Sequence, residues 1–514
     1  MSEPVAAVAV TKPPVEAHHE EPDPRRWIIL AVIAIAQLII VLDSSIMNIA
    51  LPDAANDLKI APQNLQWVIT AYTLAFGGLL LLGGRIADYM GRKRAFIIGL
   101  IGFAGASALG GLAQNEGMLY GARALQGAFA ALLAPAALSL ITVTFSEGKE
   151  RARAFGVFGA ISGGGAAIGL IAGGALTEYL DWRWCLLVNL PIAAVTVAFA
   201  IPLLRESKAH GDTRFDIPGA VLSIVGLVSL VYGFTEAAKQ VTDADGTVHT
   251  QGWTDPVVLA WLGAAVVALV AFVIVERKVA NPLLPLRIVL NRNRGASYLI
   301  FLLVGAGLFG MFLFMTLYLQ RVLGYEPLKA GMAVLPFSFG IIIMAGVVAQ
   351  LLPRVGPKPL MLIGLVFAST GLLLLLRTSP TSSYWGAVFP GLVVMSLGMA
   401  AVFIPASSTA LIGVGGHDAG IASAVLNTSQ QVGGSLGLAL LNTFALTATT
   451  NKVADLVAAG GDPASKALQA TAEVAGFHVA WIGSACMLIL ALIIAAVMIT
   501  AKKDELPAEG AIAA

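Results

Sequence analysis

Fourteen runs of this chain are each long and apolar enough to cross a bilayer, and together they leave little sequence for anything else. At about 21 residues per crossing they use roughly 290 positions, close to everything the 58% apolar share of 514 residues provides. Only 12% of residues are charged and mean hydropathy is +0.84, against roughly 25% charged in soluble domains. The expected fold class is an all-α membrane protein with 14 transmembrane helices.

The runs fall as six, two and six. A polar tail, 1–26, ends in Arg25-Arg26, and the run opening at Trp27 is too long for a signal-peptide core, so it reads as a retained first span. Further runs lie near 65–83, 95–113, 118–141, 154–176 and 184–204, then 217–235 and 256–275, then 295–319, 328–352, 358–376, 384–409, 420–445 and 476–500. This divides the chain into a six-helix bundle at 27–204, an inserted helix pair at 217–275, a basic connector at 276–294, a second six-helix bundle at 295–500 and a tail at 501–514. With the amino terminus in the cytoplasm, 22 Lys and Arg fall on inner segments and 8 on outer loops, so both termini are expected to be cytoplasmic.

The same inventory excludes several classes of function. Lys plus Arg (31) balances Asp plus Glu (30), which argues against a nucleic-acid partner. Cys185 and Cys486 provide neither a disulfide framework nor metal-ligand spacing, and both read as packing residues. No GxxxxGK[ST] loop occurs, so the chain has no visible means of using ATP, and no nucleophile or metal cluster suggests an enzyme. Gly305-Ala-Gly307-Leu-Phe-Gly310 fits a dinucleotide fingerprint but lies inside an apolar run, where close helix packing is the better reading. No cofactor and no metal are expected. Any work must draw on a gradient, with the proton as coupling ion.

The two halves echo each other. Gly165-Ala-Ala-Ile-Gly169-Leu170 has a counterpart in Gly433-Gly434-Ser-Leu-Gly437-Leu438, and Pro135 in the fourth span matches Pro405. Repeated halves place a substrate site between them, near the bilayer midplane.

Two charges lie at a depth where charge is costly. Asp43 is in the middle of the first span and Arg123 a turn or more into the fourth. Burial there costs at least about 2.5 kcal/mol on insertion scales, so such residues pair, face a cavity or carry ions. On the first helix Gln37, Ser44 and Asn48 fall within about 20° of one line, a polar stripe read as a cavity wall with Asp43 at its border. Arg123, Gln126 and Gly127 share a face of the fourth span, as do Asn427, Gln430, Gln431 and Gly434 in the thirteenth. Three such stripes suggest one shared cavity, to which Gln37, Ser44, Asn48, Gln126, Asn427, Gln430 and Gln431 would contribute.

These residues carry a resemblance to the major facilitator superfamily, in its fourteen-span drug:proton antiporter branch of the EmrB/QacA type. Leu42-Asp43-Ser-Ser-Ile-Met-Asn48-Ile-Ala-Leu51-Pro52 is similar to that branch's first-span motif, whose aspartate is implicated in proton coupling. Gly84-Arg-Ile-Ala-Asp88-Tyr-Met-Gly91-Arg92-Lys-Arg94 resembles the superfamily loop between spans two and three, which implies that Gly84, Asp88, Gly91 and Arg92 form a cytoplasmic gate. Arg123-Ala-Leu-Gln126-Gly127 resembles the motif whose arginine is linked to proton transfer, and Trp182-Arg-Trp184 through Asn189-Leu-Pro191 is a further stretch usual in the branch. Gly165, Gly169, Gly173 and Gly174 match the helix-packing antiporter motif, with Leu170 where the family usually has proline.

The resemblance implies proton-driven export of lipophilic or amphipathic small molecules, multidrug or antibiotic efflux, by alternating access. Its setting would be a bacterial cytoplasmic membrane, with the chain acting as a monomer among membrane lipids. No acid occurs at 328–352, where some dication exporters of this type carry one, so the resemblance implies a neutral or singly charged substrate, and Phe76, Phe312, Phe314, Met315 and Tyr318 are available as apolar contacts. Two alternatives remain open on sequence alone: a lipid transporter or lipid-handling membrane protein without strict proton coupling, and, kept open by Leu170, a proton-coupled uptake symporter.

Overall fold

The computed structural model describes residues 24–145, 149–208, 216–242, 248–279, 282–414 and 416–505, so most of the expected amino-terminal tail and the end of the carboxy-terminal one lie outside the described residues. Among them are 14 helices long and apolar enough to cross a membrane. They are α1 (Arg26–Asp57), α2 (Pro62–Met90), α3 (Arg92–Gly111), α4 (Glu116–Thr144), α5 (Arg153–Tyr179), α6 (Trp184–Leu203), α7 (Ile217–Ala237), α8 (Pro256–Lys278), α9 (Arg292–Val322), α10 (Pro327–Val355), α11 (Pro357–Arg377), α12 (Tyr384–Ala410), α13 (Gly420–Ala458) and α14 (Lys466–Met498). The face where α1 begins and α14 ends is called the tail side below, and the opposite face the far side.

Helix ends follow local chemistry. Asn115 caps α4 by accepting from Met118 N at 2.9 Å, and Asp255 caps α8 by accepting from Val257 N at 2.8 Å, with Pro256 filling the first helical position. The helices α13 and α14 run well past the expected spans, α13 to Ala458 and α14 from Lys466. Outside the hydrocarbon, hydropathy no longer marks where a helix stops. One small departure from an all-helical chain is a hairpin between α7 and α8, with Gln240–Thr242 paired antiparallel to Val248–Thr250.

The halves use the same packing scheme. In the first bundle α4 packs on α2 and α3, α5 on α1, and α6 on α1 and α3; in the second α12 packs on α10 and α11, α13 on α9, and α14 on α9 and α11. Between the bundles α5 meets α10 and α13 meets α2, which are equivalent contacts under the internal repeat. The glycine echo explains the inner seams. Gly165, Gly169 and Gly173 lie against Leu38, Val41, Leu42, Ser45 and Ile46 of α1, while Gly433 and Gly437 lie against Leu302 and Ala306 of α9. With no hydrophobic drive between helices in lipid, small residues gain stability by letting backbones approach. Gly305 and Gly310 pack on Gln430 and Leu441 of α13, as the helix-packing reading of that motif requires.

On the far side one apolar core runs through both bundles, from Ile46, Leu51 and Leu170 to Met311 and Val334. Toward the tail side the first bundle keeps a separate core around Phe96, Phe103, Leu133 and Phe155. There α5 and α10 part: a Cβ at Gly156, Gly159 or Gly164 on α5, or at Gly346 on α10, would meet nothing within 4 Å. The inserted pair lies against α2 and α13, tied by Gln66 Nε2 donating to Thr235 Oγ1 at 2.9 Å and Thr443 Oγ1 donating to the Phe234 carbonyl at 2.8 Å. Cys185 is buried, but Cys486 is exposed on the outer surface of α14, so it does not serve the packing role expected of it.

These seams give a stability test. Gly433→Val drives a side chain into the Leu302 backbone and is expected to cost about 1–3 kcal/mol, whereas Gly164→Ala meets open space and is expected to be neutral. Thermal unfolding of the purified variants in detergent checks the contrast, and equal midpoints would contradict it.

Candidate transport site

Asp43 is fully buried within the first bundle, where α1, α3, α4 and α6 converge. Its Oδ2 accepts from Arg123 Nη1 at 2.5 Å; its Oδ1 accepts from Gln126 Nε2 at 2.8 Å and Asn189 Nδ2 at 3.1 Å. Ser107 Oγ of α3 lies 2.7 Å from Gln126 Nε2 and 3.3 Å from Asn189 Nδ2. Arg123, 1% exposed, also donates from Nε to the Val68 carbonyl at 3.0 Å and from Nη1 to Gln126 Oε1 at 2.9 Å, and its guanidinium stands 4.5 Å from the Tyr72 ring centre. A buried carboxylate is tolerable only when paired and hydrogen-bonded, and this one has both.

The structure thus joins the two midspan charges and revises two expectations. Asp43 is not at the border of the polar stripe, since it lies about 100–140° around α1 from Gln37, Ser44 and Asn48, and it has no exposed surface. Gln126 was expected on the cavity wall; it is fully buried and forms part of the ion-pair network instead. Its neighbour Gly127 packs on the Tyr72 carbonyl, which draws α2 and α4 together and turns that face away from the cavity.

The other stripe residues are placed differently. Gln37, Ser44 and Asn48 are half-buried, and Ser44 and Asn48 bond back to their own helix, at 2.8 Å to the Val41 carbonyl and 2.9 Å to the Ser44 carbonyl. On α13, Asn427 is exposed and Gln430 and Gln431 are half-buried. Gln431 lies toward α2 at Gly77 and the Gln430 backbone toward α9 at Gly305, so the stripe faces the space between those helices. Of the proposed apolar contacts, Phe314, Met315 and Tyr318 are buried in the apolar core that runs through both bundles, with Tyr318 stacked edgewise on Trp481.

The loop from Gly84 to Arg94 is bound mainly within its own half. Gly84 lies against Pro135, and Gly91 has φ +111°, a conformation that requires glycine. Asp88 accepts from Arg92 Nε at 3.2 Å. Glu206, which the sequence reading missed, accepts from the backbone N–H groups of Lys93 at 3.1 Å and Arg94 at 3.3 Å, and so caps α3 from the segment after α6. Among the described residues the side chains of Asp88 and Arg92 bond to each other and not to the second bundle. Arg85 reaches the connector, its Nη2 donating to the Pro282 carbonyl at 2.6 Å.

The far side holds the closure. Gly174 packs on Pro327 and Leu328, and Gly331 on the Leu170 carbonyl. Glu178 Oε2 accepts from Leu328 N at 3.1 Å, and Gln320 Nε2 donates to the Ile49 carbonyl at 2.9 Å. At mid-depth Thr73 Oγ1 and Ser435 Oγ lie 2.5 Å apart and Thr428 donates to the Gly77 carbonyl at 3.1 Å. The glycine motif therefore has two faces, three glycines serving α1 and Gly174 serving the junction. Leu170 sits in that junction.

Two repeated bundles, joined on one face and parted on the other around a polar stripe, define a membrane carrier. The chain belongs to the Major Facilitator Superfamily, whose family model matches residues 33–438. It is 48% identical over 495 residues to the puromycin resistance protein pur8 of Streptomyces alboniger, covering 96% of this chain and 95% of that protein. It is 38% identical over 437 residues to the cephamycin export protein CmcT of Amycolatopsis lactamdurans, covering 84% and 88%. The fold is similar to that of an auto-inhibited POT family peptide transporter, with TM-score 0.66 at 15% identity, covering 95% of this chain and all of that one. As a member of a transporter family the chain is not an enzyme.

The ion pair predicts an asymmetric mutational response. Arg123→Ala leaves a buried carboxylate uncompensated and is expected to cost about 3–5 kcal/mol. Asp43→Asn keeps an acceptor for Arg123 and is expected to cost less, and Asp43→Asn combined with Arg123→Ala to recover much of the loss. Unfolding midpoints of the three variants test this, and independent, additive losses would contradict it.

Proposed function

We propose that this transporter exports lipophilic or amphipathic small molecules, antibiotics among them, by alternating access, and that the proton drives it. The observation that carries the proton role is the Asp43–Arg123 pair: a lone midspan carboxylate held by donors from two other helices. The names of pur8 and CmcT, a resistance protein and an export protein, support the direction and the substrate class. The excess of basic residues on the tail side supports cytoplasmic termini. The conformation described is then closed to the exterior and open inward, in a bacterial cytoplasmic membrane, with the chain working as a monomer.

In this state Asp43 is paired with Arg123. Proton loading removes the charge that holds the guanidinium, leaving it the Val68 carbonyl, Gln126 and the Tyr72 ring. Asp43 has no exposed surface here, so proton exchange belongs to a state in which the pair has separated. Substrate would meet Gln37, Ser44, Asn48, Asn427, Gln430 and Gln431. The loop from Gly84 to Arg94 governs inward closure as Asp88 and Arg92 change partners. One proton returning inward supplies about 2.3 kcal/mol per 100 mV and about 1.4 kcal/mol per pH unit, enough for roughly hundredfold accumulation with one coupling carboxylate. No cofactor is needed.

Everted membrane vesicles test this reading with a panel of dyes and antibiotics. Substrate is expected to dissipate an imposed pH gradient in vesicles carrying the wild type, and to have no effect with Asp43→Asn at equal expression. Gradient-coupled efflux retained in Asp43→Asn would refute the assigned proton site; transport unaffected by an uncoupler would refute proton drive altogether.

A further inference from the structure

Two carboxyl groups are buried against each other at the tail-side base of the inserted helix pair, far along the chain from Asp43. Asp216 caps α7, its Oδ1 accepting from Gly219 N at 2.8 Å. Glu276, on the last turn of α8, accepts from Leu284 N through Oε2 at 3.0 Å. They are 1% and 4% exposed. Each keeps a second oxygen, Asp216 Oδ2 and Glu276 Oε1, that is buried with no hydrogen-bond partner. These two oxygens converge over Gly219, where a Cβ would press on both, and the carboxyl groups lie within hydrogen-bonding reach of each other.

With both groups ionised, two acceptors would face each other in a buried site without a donor among the described residues, which charge repulsion and desolvation both oppose. A single proton resolves this by turning one oxygen into a donor to the other, which satisfies both orphans. The charged groups around the pair do not fill that role. Arg277 and Lys278 on α8 and Arg287 on the turn Leu286–Val289 are exposed, and Arg85 on α2 donates to the Pro282 carbonyl. Hard divalent cations take six or more oxygen ligands, and no group of three or more His, Cys, Asp or Glu that could hold a metal occurs among the described residues.

We propose that Asp216 and Glu276 form a second proton-binding site, a carboxylic acid–carboxylate pair sharing one proton, which fastens the inserted helices to the connector. The pair joins the start of α7, the end of α8 and the connector at Leu284, and two residues earlier the connector is bound by Arg85 of α2, next to Gly84. Its proton therefore holds the inserted pair and the connector as one unit beside the gate loop. When the proton leaves, the repulsion loosens that attachment.

Infrared titration of the purified full-length protein in detergent, with thermal unfolding on the same samples, tests the site. Asp216→Asn keeps a good helix cap, and Glu276→Gln keeps an acceptor for Leu284 N while its amide supplies the missing donor, so both variants are expected to fold. The wild type should show a carboxylic-acid C=O band at neutral pH that is lost in Asp216→Asn and in Glu276→Gln and retained in Asp43→Asn. It should also lose thermal stability as pH rises, because proton removal places two charges in the site, while Glu276→Gln should show a flatter profile. Identical bands and pH profiles in all of these proteins would overturn the shared proton. Stabilisation of the wild type by magnesium, calcium or manganese ions, absent in both variants, would overturn it in favour of a cation site. Loss of vesicle transport alone would bear on the proposed function and not on this pair.

Discussion

The ion pair between Asp43 and Arg123 organises the first bundle. It draws α1 to α4, and through Gln126, Asn189 and Ser107 it includes α6 and α3, so four of six helices meet at one buried charge. In an apolar surrounding such a pair is bistable. Complete, it pairs both charges; with the charge on Asp43 removed, the guanidinium needs other partners. Under the proposed coupling a proton makes this change, and its free energy depends on which side of the membrane it came from.

Under the proposed alternating access, the remaining architecture converts a local change into a movement of halves. Glycine seams on α5 and α13 hold each bundle tightly to its first helix, so each half can move as a body. The junction between them rests on fewer elements: α5 with α10 and α1 with α9 at the far side, and α2 with α13 at mid-depth. Gly173 faces Ile46 of α1 while its neighbour Gly174 faces Leu328 of α10, so one turn of α5 feels both the ion-pair helix and the closure. Leu170 contributes its carbonyl to the same closure. The inserted pair lies against α2 and α13, the mid-depth contact, and its connector is held by α2 through Arg85.

The helices were legible because lipid admits only long apolar runs with internally satisfied backbones. Asp43 and Arg123 stood out by depth alone, since burying either has a cost the sequence displays. Their meeting was not legible, because it depends on how each helix is rotated. Gln126 shares a helix face with Arg123, and the periodicity was right while the inferred direction, toward a cavity, was not. Asn189 was visible only as part of a motif, and Ser107 gave no signal beyond being one hydroxyl in an apolar span. Glu206, Asp216 and Glu276 were hidden for another reason. Charges at span ends are expected on topological grounds, so nothing in the sequence separates an exposed one from a buried one.

The central claim is that Asp43 exchanges a proton for substrate occupancy. It is tested most directly by counting protons released when a transported dye binds to the purified protein, using calorimetric titrations in buffers of differing ionisation enthalpy. At a pH where the free protein carries the proton, the account predicts release of about one proton per dye bound by the wild type and none by Asp43→Asn with binding retained. Equal release by the two proteins, or none by the wild type at any pH where it transports, would contradict it.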